Sequence, residues 1–132
     1  FPDPVWKRRY KHVLDFEAML AEEGTVIIKL FLNISKAEQK KRLESRLQDP
    51  DKLWKFCMDD LDDRNRWDEF QTAYQDLIEK TSTPEAPWYI IPADRKWYRN
   101  LVVARLMVEK LRHLQLSLPT PNFDPASIII PD

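Results

Sequence analysis

Arg42 and Arg46 stand four residues apart in the stretch KAEQKKRLESRLQ, and Lys52 and Lys55 follow them across the turn Asp49-Pro50-Asp51. Four apart on a helix means one face, so the two guanidinium groups project together and the two ammonium groups prolong the positive run. A planar guanidinium can bind phosphate oxygens in pairs, and an ammonium binds them as a compact charge. The chemistry this fork suits is a grip on phosphate. Charge separates sharply at the turn: residues 36–55 hold seven Lys or Arg against four acids, whereas residues 58–79 hold eight acids against two arginines. From charge pattern alone a plainer reading stands beside the first, in which these are solvated faces pairing loosely across the turn.

Other reactive types are weighed the same way. Asp59, Asp60, Asp62 and Asp63 are numerous enough to hold a metal ion, but acids in the first turn of a helix commonly answer its dipole. His12 and His113 lie on helical patterns without partners and read as surface or packing residues. Trp88, Tyr89, Trp97 and Tyr98 read as core side chains ahead of base-stacking platforms. Cys57 is the single cysteine, so no internal disulfide and no Cys/His zinc set is available; it reads as a packing residue. The single glycine, Gly24, against about nine in an average chain this long, excludes a glycine-rich phosphate loop.

The elements that must position the fork follow from periodicity. Trp6, Tyr10, Val13, Leu14 and Leu20 recur at helical spacing from Pro4 to Leu20, and Gly24 stops that helix. TVIIKLFLNI, residues 25–34, is β-branched and almost continuously apolar, the pattern of a strand covered on both faces. Ser35-Lys36-Ala37-Glu38 matches a capping box, so a helix starts there and runs to about Gln48, with Leu43 and Leu47 as a thin apolar stripe. Pro50 ends it. A helix from about Met58 to Lys80 is expected next, with Trp67, Phe70, Tyr74, Leu77 and Ile78 on one face, and TSTPEAP breaks it.

WYIIP, residues 88–92, reads as a second buried strand, and Lys96 to Leu114 as a helix with Trp97, Leu101, Ala104, Val108 and Leu111 inward and Asp94 as its cap. Beyond Leu118 the chain is proline-broken and reads as an extended tail over 119–132. The order helix, strand, helix, helix, strand, helix is that of an α/β layer architecture with parallel strands. In such sheets ligands collect beyond the carboxyl ends of the strands, which here deliver Asn33-Ile34-Ser35 and Pro92-Ala93-Asp94-Arg95-Lys96.

Bulk properties narrow the classes. A hydrophobic fraction of 43% over 132 residues supplies one core, for one domain or part of one. No apolar run approaches the roughly 18 residues needed to span a bilayer, and FPDPVWKRRY lacks the ordering of a signal peptide, so a cytoplasmic protein without a membrane partner is expected. A net charge of −1 gives no overall attraction to nucleic acid, and none is expected as a partner. Because residue 1 is Phe and not Met, the chain reads as a piece of something longer, or as processed, and is taken as a fragment.

Four stretches in order, FLNISKAEQ, RLQDPDKLWK, DLDDRNRWDEFQTAY and TSTPEAPWYIIPADRKW, closely resemble the C-terminal half of polyphosphate kinase family 2, and the likeness covers most of the chain. The resemblance implies an α/β, parallel-sheet P-loop kinase fold similar to thymidylate kinase, present here as its helix-rich C-terminal portion over residues 1–118. It implies phosphoryl transfer between inorganic polyphosphate and a nucleoside mono- or diphosphate, with Mg2+ held mainly by residues of the N-terminal half. It further implies that residues from about 36 to 66 form a basic lid. Arg46 is then the catalytic candidate, Arg42, Lys52, Lys55 and Arg64 polyphosphate-binding candidates, and Lys96 a candidate for nucleotide binding, with Trp54 packing the fork onto the lid. The phosphate loop with its glycines and lysine is absent from the sequence, as is the upstream acidic motif, so the chain alone is expected to be inactive. The competing class is a noncatalytic helical module whose basic fork binds polyanions or a protein partner. The acceptor nucleotide, the favoured direction and homo-oligomer formation stay open.

Overall fold

A computed structural model describes residues 3–131. Two five-residue strands, β1 (Lys29–Asn33) and β2 (Trp88–Pro92), run parallel, with Lys29 opposite Trp88 and Asn33 opposite Pro92. Parallel neighbours require a long crossover. Here it carries α2 (Lys36–Gln48), a 3-10 turn (Pro50–Lys55), α3 (Asp59–Asn65) and α4 (Trp67–Thr81), while α1 (Asp3–Glu22) precedes β1 and α5 (Lys96–His113) follows β2. This is the expected α/β order with parallel strands. Only residues 29–33 of the expected strand 25–34 join the ladder, because β2 offers five partners.

Gly24 ends α1 as expected. Its φ of +82° lets its N–H reach the Ala21 carbonyl at 3.0 Å while Thr25 N reaches the Leu20 carbonyl at 2.9 Å, so two terminal carbonyls are satisfied without a side chain. Three other expectations are corrected. The helix over 58–80 is broken at Arg66, whose φ of −97° and ψ of 25° interrupt the spiral between α3 and α4. The apolar period runs through that break, so periodicity could not reveal it.

The stripe Trp97, Leu101, Ala104, Val108 and Leu111 is also not inward. Trp97 is 64% exposed, and α5 instead turns Val102, Val103 and Leu106 into half-buried positions. A helix with two apolar stripes does not announce which one meets the sheet. Cys57, expected to pack, is exposed.

Leu43, Ala86, Ile91 and Ala93 are buried, and α4 leans on β1 through Tyr74, whose ring lies 5.1 Å from that of Phe31. A polar knot closes the amino end of the sheet. Lys29 Nζ donates to Glu17 Oε2 at 2.7 Å and to the Thr81 carbonyl at 2.5 Å, and it stands 5.3 Å over the Trp88 ring. Trp88 Nε1 donates to the hydroxyl of fully buried Thr81 at 2.9 Å. These contacts join α1, β1, α4 and β2. Residues 119–131 are exposed and contain one 3-10 turn (Pro125–Ser127).

Candidate functional site

The opposite, carboxyl end of the sheet is built from two loops that share their polar groups. Ser35 caps α2 by accepting from Glu38 N at 3.1 Å, which is the first half of the expected capping box. The second half is supplied by another loop. Ser35 N donates to Asp94 Oδ1 at 2.7 Å, so Glu38 is released and its carboxylate accepts from Arg42 Nε at 2.8 Å. Asp94 therefore joins the two strand ends and does not cap α5, whose cap residue Arg95 makes no side-chain capping bond. The backbone N–H and then the hydroxyl of Ser35 hold the Asp94 carboxyl below its ordinary value, against a small desolvation effect and with help from the Arg42 charge.

Arg42 adds a second tie. Its Nη2 donates to the carbonyls of Ala93 at 2.7 Å and Asp94 at 3.3 Å, so with Nε on Glu38 the whole Nε–Nη2 edge is occupied by the protein. One turn further along the same face of α2, Arg46 has other partners. Its Nη1 donates to Asp60 Oδ2 at 3.2 Å and to the Lys55 carbonyl at 3.3 Å. Arg64 crosses in the reverse direction, from α3 to the start of α2, where Nη1 meets the Lys36 carbonyl at 2.8 Å and Gln39 Oε1 at 2.9 Å. Two arginines thus strap α2 and α3 together at both ends.

The 3-10 turn between those helices begins at Pro50, and Asp49 caps it by accepting from Asp51 N at 3.1 Å. Asp49 is also paired with Lys52, and that hydrogen bond is the main cause of its lowered pKa. Lys55 Nζ stands 5.0 Å over the Trp54 ring. Trp54 itself is 79% exposed, with Nε1 donating to the Asp51 carbonyl at 3.0 Å, so it tops the turn and does not pack it onto the helices.

A cleft of about 350 Å³ opens beyond the carboxyl end of β1, between α2, α3 and α4. Of the basic candidates only Arg46 lines it, together with Asn33, Gln39, Asp60, Asp63 and the aromatic residues Trp67, Phe70 and Tyr74. Lys52 and Lys55 lie on the 3-10 turn and do not line it, Arg42 and Arg64 are turned to backbone carbonyls, and Lys96 sits exposed in the first turn of α5. The sequence singled out Arg46 but missed Asp60 as its partner and Gln39 as a lining group. The aromatic spacing at 67, 70 and 74 was the one available signal for that wall. Among the described residues no group of three His, Cys, Asp or Glu converges to hold a metal ion.

Known proteins resemble this chain in both sequence and backbone. The family model described as Polyphosphate kinase 2 matches residues 2–118. The AMP/ADP-polyphosphate phosphotransferase of Meiothermus ruber is 51% identical over 129 residues, 98% of this chain and 48% of that protein. The ADP-polyphosphate phosphotransferase of Rhodopseudomonas palustris is 39% identical, over 90% of this chain and 41% of that protein. The crystal structure of polyphosphate kinase 2 from Arthrobacter aurescens TC1 superposes with a TM-score of 0.90 at 48% identity, over 95% of this chain and 45% of that one. The chain spans about half the length, or less, of these relatives, and its two parallel strands with their crossover helices are a portion of the P-loop kinase fold. With the family model matching residues 2–118 and the backbone superposing over 95% of the chain, the chain belongs to the polyphosphate kinase 2 family.

Proposed function

We propose that this chain forms part of a polyphosphate-dependent nucleotide kinase, contributing its C-terminal portion and a basic lid over about residues 36–66. A terminal phosphate oxygen of a nucleoside mono- or diphosphate forms a bond to the end phosphorus of polyphosphate. The bridging P–O bond breaks, and its electron pair leaves with the shortened chain. Such a transfer asks the protein for alignment and charge neutralisation more than for covalent chemistry. Arg46 supplies the guanidinium that meets the transferred charge, and Lys52 and Lys55 act as point charges along the polyphosphate. Arg42 and Arg64 hold the shape of the segment through the carbonyls they bind, and Lys96 serves the nucleotide.

The observation that carries this reading is the position of Arg46: of the cations in the fork it alone lines the cleft at the end of β1, within a family whose relatives are named for polyphosphate phosphotransfer. Mg2+ is implied by the resemblance, but the described residues offer no ligand set for it, so no step here runs through the ion. The test is a phosphotransfer assay with polyphosphate and AMP or ADP, on the intact polypeptide that carries residues 1–132 and on the chain alone. Turnover by the intact polypeptide and none by the chain alone is expected, because a chain with one glycine cannot build the phosphate loop. No polyphosphate-dependent phosphorylation by the intact polypeptide would overturn the reading.

A further inference from the structure

Arg46 uses one nitrogen for two acceptors. Both of its hydrogen bonds, to Asp60 Oδ2 and to the Lys55 carbonyl, leave from Nη1. The Nε–Nη2 edge is the side left for two parallel hydrogen bonds to one phosphate group. Arg42, four residues earlier, is the opposite case, since that same edge is filled by Glu38 and by the Ala93 and Asp94 carbonyls.

We propose that Asp60 is a positioning residue for Arg46: by holding Nη1 it fixes the guanidinium plane so that the Nε–Nη2 edge meets the polyphosphate oxygens. This rests on the polyphosphate role of Arg46 given above. Arginine carries many rotamers, and a side chain ordered before the ligand arrives loses less freedom on binding it. Asp60 is suited to the task because it sits in the first turn of α3, where the dipole favours a carboxylate. Arg46 and Asp60 are 36% and 37% exposed, so their pair is ordered yet open to the cleft both residues line. The Lys55 carbonyl on the same nitrogen ties this alignment to the turn that carries Lys52 and Lys55.

A double-mutant cycle in the intact polypeptide, read as polyphosphate-dependent kcat, tests the assignment. Asp60→Ala is expected to lower kcat about tenfold with the KM for the acceptor nucleotide unchanged, and to cost nothing further when Arg46→Ala is already present. Asp60→Asn, which keeps the size and one acceptor, is expected to fall between wild type and Asp60→Ala, and it carries the same cycle should the alanine variant fail to fold. An equal loss in both Arg46 backgrounds would show that Asp60 acts independently of Arg46 and would overturn the proposal. A rise in kcat/KM for polyphosphate in Asp60→Asn would overturn it as well, by showing that the carboxylate obstructs the anion. Should Arg46→Ala itself be neutral, the polyphosphate role of Arg46 fails first and the proposal falls with it.

Discussion

The two ends of the sheet place similar groups in different service. At the amino end, Lys29 is buried against Glu17, the Thr81 carbonyl and the Trp88 ring, and every partner belongs to a different element. At the carboxyl end, Arg46 is half-buried, binds a carboxylate and a carbonyl through one nitrogen, and turns toward a cleft. A cation enclosed by its partners holds elements together and has nothing left to offer a ligand. One with an open edge, ordered by neighbours, can exchange solvent for an anion. The comparison teaches that burial and donor occupancy, more than charge, separate the structural cations of this chain from the candidate chemical one.

The strongest way to break the comparison is at Lys29. Lys29→Ala leaves the Glu17 carboxylate and the Thr81 carbonyl buried without their donor, and the expected cost is about 3–5 kcal/mol in urea unfolding of the intact polypeptide. A loss under about 1 kcal/mol would mean that the knot is no better than a surface pair.

Arg46→Ala is expected to behave in the reverse manner. Turnover with polyphosphate should fall by about 100-fold, as for loss of one donor to developing charge, while stability changes by less than about 1 kcal/mol. Unchanged kinetics would remove Arg46 from the site, and a large stability loss with normal turnover would move it to the Lys29 class.

Arg42 sharpens the distinction because it shares a helix face with Arg46. Arg42→Ala removes donors from Glu38, Ala93 and Asp94 at once, and a stability loss of about 1–2 kcal/mol is expected, with the salt dependence of polyphosphate affinity nearly unchanged. A flattened salt dependence at unaltered stability would return Arg42 to the phosphate-binding fork.

How much of this was legible in the sequence depends on the range of the interaction. The strand at 88–92, the Ser35 start of α2, the Pro50 stop and the Gly24 terminus are set by local patterns and stand where the patterns place them, whereas the first strand is shorter than its apolar run of 25–34. The Arg46 pairing was hidden because Asp60 is fourteen residues away across a turn whose shape no period encodes. Asp94 was hidden for a similar reason: an acid just before a helix looks like a cap until the Ser35 amide, 59 residues earlier, is brought beside it. Arg42 and Arg46 are indistinguishable by spacing alone, and only their partners divide them. The orientation of α5 was undecidable because both of its stripes are apolar.

The smallest expected effect lies at Asp94, where charge and geometry can be separated by pH. The folded carboxyl is held below its ordinary value of 3.8, first by the Ser35 N–H and the Ser35 hydroxyl and then by the Arg42 charge. A lowered folded value means that the native state binds its proton less readily than the unfolded chain does. The contribution to stability is therefore complete above 3.8 and is lost as pH falls through the lower folded value. Asp94→Asn keeps the shape and an oxygen for Ser35 N but removes the ionisation. The Tm gap between the wild type and Asp94→Asn should accordingly stay constant from about pH 7 to about pH 5 and narrow on further acidification. Asp49, lowered through Lys52, titrates in both proteins and cancels in the difference. A gap that persisted unchanged well below 3.8 would show that Asp94 joins the two strand ends by shape alone, in contrast to the amino end, where the Lys29–Glu17 ion pair takes part.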